Sequence, residues 1–380
     1  MSKARTKARH PKKPANLSTK PRPARAPWIG PLVIGVLLVL IGLFFYVFSD
    51  RPRAVAPSTM SALTGTAAQR ETAPVTTTGT TLLAESAAAR TLPLGPADRC
   101  RRHPRFARQL GFNERAILTT SAPSVRGLAM IQPAEGNSPE QIYQDPTWDD
   151  AGYLGHMTFD PVGTVYVFPA PRVSLIENPP EQQNTLYRVD TDSAALTPFL
   201  MLTAASPPSA ANPFGLMGTT YDCDTNSLYA ATVAGSTAGA ELGKIVRIDL
   251  TTAAIVAELQ GIDPFGLTIC NEPLSEADTV GADTVGADTV GKRLYFGAAR
   301  VAEVYSIVLN SAGDFVGQPT LEFALPDPSL KPWRLVWDTN GDLIVRAMPF
   351  DYNLIATSER VEVPFRFRRD DAGLWHFVQE

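Results

Sequence analysis

From residue 157 the chain carries a pattern of apolar and polar positions that recurs. Residues 157–169, Met-Thr-Phe-Asp-Pro-Val-Gly-Thr-Val-Tyr-Val-Phe-Pro, place an apolar strand before Asp160, a turn through Pro161-Val162-Gly163, and a second strand after it. The phrase returns from Leu335 as Leu-Val-Trp-Asp-Thr-Asn-Gly-Asp-Leu-Ile-Val, and more loosely from Thr219 as Thr-Thr-Tyr-Asp-Cys-Asp-Thr-Asn-Ser-Leu-Tyr-Ala. A strand-turn-strand unit repeated along a chain marks a repeat architecture. Extending the alternation around each copy predicts four units of four strands. They are 157–160, 165–168, 185–190 and 198–202; then 219–222, 228–233, 244–250 and 255–259; then 266–270, 293–297, 303–309 and 320–325; then 334–338, 343–347, 361–368 and 374–378. Residues 115–121 and 125–131 predict two more strands around Ala122-Pro123-Ser124. No amphipathic helix interrupts the series. Antiparallel meanders repeated in this way predict an all-β fold, a β-propeller of five or six four-stranded blades.

The pitch agrees. Phe214 and Phe265, inside the twin phrases Asn-Pro-Phe-Gly-Leu and Asp-Pro-Phe-Gly-Leu, are 51 residues apart, and Phe265 and Trp333 are 68 apart. The second interval contains Ala-Asp-Thr-Val-Gly three times over at 277–291, and without those 15 residues it shortens to 53. That segment is an expanded loop between the first two strands of its blade. Its spaced Asp278, Asp283 and Asp288 match no calcium-binding repeat.

The first hundred residues are of a different kind. Residues 1–27 hold nine Lys or Arg and no acid, with prolines that deny them a helix. Residues 28–48 are an uncharged apolar run between Trp28 and Tyr46. As a helix they would extend about 31 Å, the thickness of a bilayer's hydrocarbon core. A single transmembrane signal-anchor helix is expected, with the basic tail in the cytoplasm and the rest exported. A cleaved signal peptide ending at Ala54-Val55-Ala56 is the rival, but the basic region and the apolar run are both longer than a signal's. Residues 49–98, rich in Pro, Thr and Ala, are expected to be a stalk too poor in large apolar groups to fold, and 99–380 the extracytoplasmic propeller.

Composition narrows the function. Of the chain, 44% is hydrophobic and 19% charged, ordinary for a globular protein; many of the 33 prolines fall in the N-terminal hundred residues and in loops. Without the basic tail, 25 Lys and Arg face 38 Asp and Glu, so the exported part repels phosphate backbones and nucleic acid is excluded as a partner. Three cysteines, Cys100, Cys223 and Cys270, allow at most one internal disulfide, and no Cys-x-x-Cys spacing suggests zinc or redox chemistry. There is no Gly-x-Ser-x-Gly elbow, no His-Glu-x-x-His and no phosphate-cradling glycine loop.

The blade phrase resembles that of the NHL and SMP-30/gluconolactonase-like six-bladed propellers, over roughly residues 115–380. In the hydrolytic members of that family, Asn, Glu and Asp from several blades hold a divalent metal in the central channel, so the resemblance implies a lactonase or esterase-type hydrolase with calcium as an alternative function. The matching positions here are Gly155, Met217, Trp333 and, where Cys270 replaces the blade aspartate, Phe265; none can ligate a hard cation. No cofactor is predicted otherwise.

His156 and Arg334 occupy matched positions one residue on. Asp149, Asp150, Asn212 and Asp263 fall just ahead of first strands. These six are the candidate channel-mouth residues, since a histidine beside carboxylates is what a general base requires and also what a polar loop rim looks like. Phe214, Phe265 and Trp333 are expected to be wedges between blades. The reading favoured by the sequence is a membrane-anchored binding or interaction module. Its partners would be the bilayer through residues 28–48 and a protein, glycan or small ligand on the propeller; a spacer without a ligand is the third possibility.

Overall fold

The computed structural model describes residues 92, 94–120, 125–136, 138–170, 175–274, 290–352, 361–370 and 372–378. The expected anchor at 28–48, most of the expected stalk, and nearly all of the expanded loop lie outside these residues. Among the described residues no helix is long and apolar enough to cross a membrane.

Five antiparallel sheets follow one another as blades. Blade I contains β2 (Ile117–Thr119), β3 (Ala129–Gln132) and β4 (Gln141–Tyr143). Blade II contains β5 (Leu154–Phe159), β6 (Val165–Pro169), β7 (Thr185–Val189) and β8 (Leu196–Met201). Blade III contains β9 (Leu216–Asp222), β10 (Ser227–Thr232), β11 (Lys244–Asp249) and β12 (Ala254–Gln260). Blade IV contains β13 (Pro264–Pro273), β14 (Val290–Ala298), β15 (Glu303–Leu309) and β16 (Phe315–Ala324). Blade V contains β17 (Lys331–Trp337), β18 (Leu343–Met348), β19 (Val363–Arg369) and β20 (Trp375–Val378). Two sheets depart from the expected four strands. Blade I has three, and blade IV gains a fifth, β1 (Gly95–Pro96), which pairs with β13 on its free edge through Asn271 and Cys270.

The aspartate that ends each copy of the repeated phrase is there to fold the turn. The Asp160 Oδ1 accepts the backbone N–H groups of Val162 at 3.0 Å and Thr164 at 2.8 Å. Asp338 Oδ1 does the same for Asn340 at 2.7 Å and Asp342 at 2.9 Å, and Asp222 Oδ1 takes the N–H of Asp224 at 3.0 Å. A side chain that satisfies backbone donors two residues on is an Asx turn, which explains Asp before a short Gly- or Asn-containing link. In blade IV the long insert replaces that tight turn, and Cys270 at the equivalent position has no such task.

Apolar side chains from each pair of consecutive blades make the cores. Leu118, Met130, Leu154 and Val167 join blades I and II. Leu186, Leu216, Tyr221 and Leu228 join II and III, Tyr229, Ile245, Ile269 and Leu294 join III and IV, and Tyr295, Val304, Leu343 and Phe367 join IV and V. No core cluster among the described residues joins V to I. Phe214, Phe265, Trp333, Phe350 and Tyr352 form a further cluster where the inner strands begin, with Phe265 edge-on to Trp333 at 5.2 Å and to Phe350 at 4.6 Å.

The glycine of each twin phrase lets backbones meet. A Cβ on Gly215 would lie 2.2 Å from the Gln183 carbonyl oxygen of blade II, and one on Gly266 would lie 2.6 Å from that of Trp333 in blade V. Gly266→Ala is therefore expected to cost about 1–3 kcal/mol, the range for overpacking a filled interior, measured as the shift in a urea unfolding curve.

The chain ahead of blade I is part of the propeller. Residues 94–104 run past the ends of three inner strands. β1 lies against the last third of β13, Cys100 is disulfide-bonded to Cys223 just after β9, and the Arg102 N–H bonds the Asp160 carbonyl just after β5 at 3.3 Å. The short helix α1 (Arg105–Gln109) follows, and its buried Phe106 packs at 5.7 Å against Trp148 in the core between blades I and II.

Candidate functional site

A cavity of about 770 Å³ lies where the inner strands of all five blades converge. Its wall includes Leu118 and Thr120 at and beside β2, His156 and Thr158 of β5, Thr219 of β9, Thr268 of β13, and Arg334 and Trp337 of β17. The segment ahead of blade I contributes Asp98, Arg99, Arg101, Arg102 and His103. Among the described residues the cavity wall thus has four arginines and one carboxylate.

Of the six residues singled out in the sequence, two are in this wall and touch. The Arg334 guanidinium donates its Nε–H to Nε2 of His156 across blades V and II. That bond requires His156 Nε2 to be unprotonated, so the imidazole carries its hydrogen on Nδ1. Burial, and then the facing guanidinium, hold the His156 pKa well below the ordinary histidine range. Burial also lowers the Arg334 pKa. The other four lie outside the wall. Asp149 pairs with Arg126 at 2.9 Å, and exposed Asp150 is near enough to Tyr187 to raise its pKa, an effect second to that of burial. Asn212 is buried and ties Val233 and Ser236 carbonyls to the N–H of Phe214. Asp263, also buried, accepts from the Tyr352 and Ser236 hydroxyls, from the Gly243 N–H at 2.8 Å and from Arg300 Nε at 2.8 Å. In Asn212 and Asp263 the polar atoms are occupied in holding loops at the start of the inner strands.

The bond between His156 and Arg334 has a pH consequence. Because the folded-state pKa of His156 is depressed, the unfolded chain takes up a proton near pH 6.5 that the folded chain does not. Stability from this group is complete above about pH 6.5 and is lost as the pH falls toward the folded-state value. His156→Gln is expected to flatten the stability-versus-pH curve between about pH 7 and 5, measured by urea unfolding at each pH. An unchanged slope would contradict the assignment.

The cavity donors are unevenly satisfied. Arg101 pairs with Asp98 at 2.7 Å, and Arg99 donates to the Leu94 carbonyl. Arg334 has no carboxylate within ion-pair distance among the described residues, and the Arg102 side chain meets no partner there. Thr158 and Thr219, residues only 1% and 5% exposed, have hydroxyls buried without a hydrogen-bond partner among the described residues, and the Trp337 indole N–H is likewise buried and unpartnered there. Sequence reasoning missed the arginines because 99–103 falls where the stalk was expected to end. The signal available was the run Arg-Cys-Arg-Arg-His, basic residues around a cysteine.

A divalent metal does not fit this donor set. Hard cations take several oxygen ligands, preferably carboxylates, whereas four arginines line this wall. Among the described residues no group of three or more His, Cys, Asp or Glu is placed to hold a metal ion. Cys270 is a poor nucleophile, since burial and then Glu272 push its thiol up to about 12. Iodoacetamide is expected to leave Cys270 unmodified in the native protein at pH 8 and to alkylate it only after unfolding, read by intact mass.

No known protein family and no curated protein matches this chain. Solved structures do. An alpha-L-arabinofuranosidase from Lactobacillus brevis is 9% identical over 69% of this chain and 92% of its own, with a TM-score of 0.36. A protein of unknown function from Bacteroides caccae is 9% identical over 66% of this chain and 73% of its own, with a TM-score of 0.34. The dihydro-heme d1 dehydrogenase NirN in complex with DHE is 15% identical over 63% of this chain and 43% of its own, with a TM-score of 0.31. Similarity at this level carries no argument about activity.

Proposed function

We propose that this chain is a membrane-anchored, exported β-propeller that binds a small ligand in the cavity between its inner strands. The observation that carries this reading is the cavity itself, about 770 Å³ and within the usual size of small-molecule sites, with Arg102 and Arg334 in its wall and no carboxylate paired with either among the described residues. Export is supported by the apolar run at 28–48 with its basic flank, and by the Cys100–Cys223 disulfide, a bond that persists in oxidising compartments.

The test is a thermal-shift screen of the full chain in neutral detergent against a broad set of small metabolites, followed by hydrogen exchange with each hit. A ligand of this cavity is expected to raise the melting temperature and to slow exchange in β5, β9 and β17. Protection confined to outer strands, or no hit at all, would overturn the proposal.

A further inference from the structure

Resting on the proposal that the cavity binds a small ligand, we infer that this ligand is an organic oxyanion, its carboxylate, sulfate or phosphate group held at Arg334 and its apolar part against Ile117 and Val336. Arg334 is in the cavity wall, on the inner strand of blade V, and its hydrogen-bonded neighbour among the described residues, the Nε2 of His156, is a neutral acceptor. Among the described residues no carboxylate meets it at contact distance, Glu362 acting on it only from farther off, and its remaining N–H donors are in the fork arrangement that matches a carboxylate, sulfate or phosphate.

Thr158, Thr219 and Trp337 border the same cavity, but their hydroxyl and indole atoms, unpartnered among the described residues, are buried behind its surface. The Arg102 side chain, exposed at the side formed by the N-terminal segment, adds a second cation. The one carboxylate in the wall, Asp98, is already paired with Arg101. A set of donors with a surplus positive charge recognises acceptors and discriminates against neutral alcohols, because an alcohol cannot satisfy the guanidinium. The apolar part follows from Ile117 and Val336, which line the same cavity with 57% and 46% of their surface exposed.

The experiment titrates the full chain in neutral detergent with benzoate, phenyl sulfate and phenyl phosphate, and with benzyl alcohol as the neutral counterpart, followed by calorimetry or ligand-observed NMR. At least one oxyanion is expected to bind about tenfold or more tightly than benzyl alcohol, and which of the three binds best identifies the source of the anionic group. Arg334→Gln is expected to weaken that binding by about tenfold to a hundredfold, the loss of one charge-assisted contact, while Arg334→Lys retains part of it. If Arg334→Gln does not fold, Arg102→Gln carries the test, expected to weaken the oxyanion and leave benzyl alcohol unchanged. Benzyl alcohol binding as tightly as the oxyanions would overturn the ligand class and leave the cavity as a binding site. Binding of none of the four would also overturn the inference, and the metabolite screen then decides separately whether the cavity binds anything.

Discussion

Lys292→Met is expected to lower the unfolding free energy by about 3–5 kcal/mol. Lys292 is on β14 in blade IV, and its Nζ lies 2.7 Å from both carboxylate oxygens of Asp222 at the end of β9 in blade III. The two side chains are 3% and 0% exposed, and Asp224 adds a second carboxylate at 3.1 Å. Methionine keeps the volume and removes the charge, leaving Asp222 buried with only the Asp224 N–H and the Thr225 hydroxyl as donors. A buried carboxylate stripped of its cation is far more costly than a surface pair broken in water. The check is urea unfolding followed by tryptophan fluorescence. The double variant Lys292→Met with Asp222→Asn is expected to cost less than the sum of the two single changes, because the amide keeps the turn while the stranded charge is gone. A cost of under about 1 kcal/mol for Lys292→Met would show that water reaches the pair.

The second large effect is at Cys100 and Cys223. Their bond closes a loop with a sequence separation of 123. In the chain-entropy account, a loop of that length restrains the unfolded state by about 4–5 kcal/mol. The bond also fastens residues 94–104, which supply the cavity's three N-terminal arginines, to the end of β9, the inner strand of blade III. The double variant Cys100→Ser with Cys223→Ser is expected to lose a stability of that order and to exchange the amides of β1 faster, with blades II to V keeping their relative order of protection. Thiol titration of the unfolded, non-reduced wild type is expected to find one free thiol, Cys270, which is buried and outside the disulfide. Three thiols would contradict the pairing.

What was legible in the sequence was whatever repeats. All sixteen strands expected in the four complete units appear within a few residues of their places, because outer strands such as β12 alternate apolar and polar positions, inner ones such as β6 are short apolar runs, and the first hairpins of blades II, III and V are closed by an Asx turn with its own residue signature. The elements that escaped are those without local periodicity. β4 is three residues long and mostly exposed, α1 is a single turn and a half, and β1 is two residues paired only through a distant strand. Cysteine pairing is likewise set by the fold, since three spacings alone leave every pair open. The strand register pairs His156 with Arg334, because both follow from counting back along matched blades, and the two touch across the cavity. Asp263 and Asn212 occupy similar positions, yet their loops turn them onto backbone groups. The position of a loop side chain depends on partners that no spacing reveals.

The most direct test of the cavity as the binding site is the tryptophan indole region of a ¹H–¹⁵N spectrum, recorded while the best-bound oxyanion is titrated to saturation. Trp337 lines the cavity. Trp148 and Trp375 have their N–H groups bonded to the Ala194 carbonyl at 2.6 Å and to Glu322 at 2.8 Å, and neither is in the cavity wall. The account predicts that the Trp337 indole resonance moves with the binding isotherm while those of Trp148 and Trp375 hold their positions. A Trp337 resonance that stays fixed at saturation would contradict it.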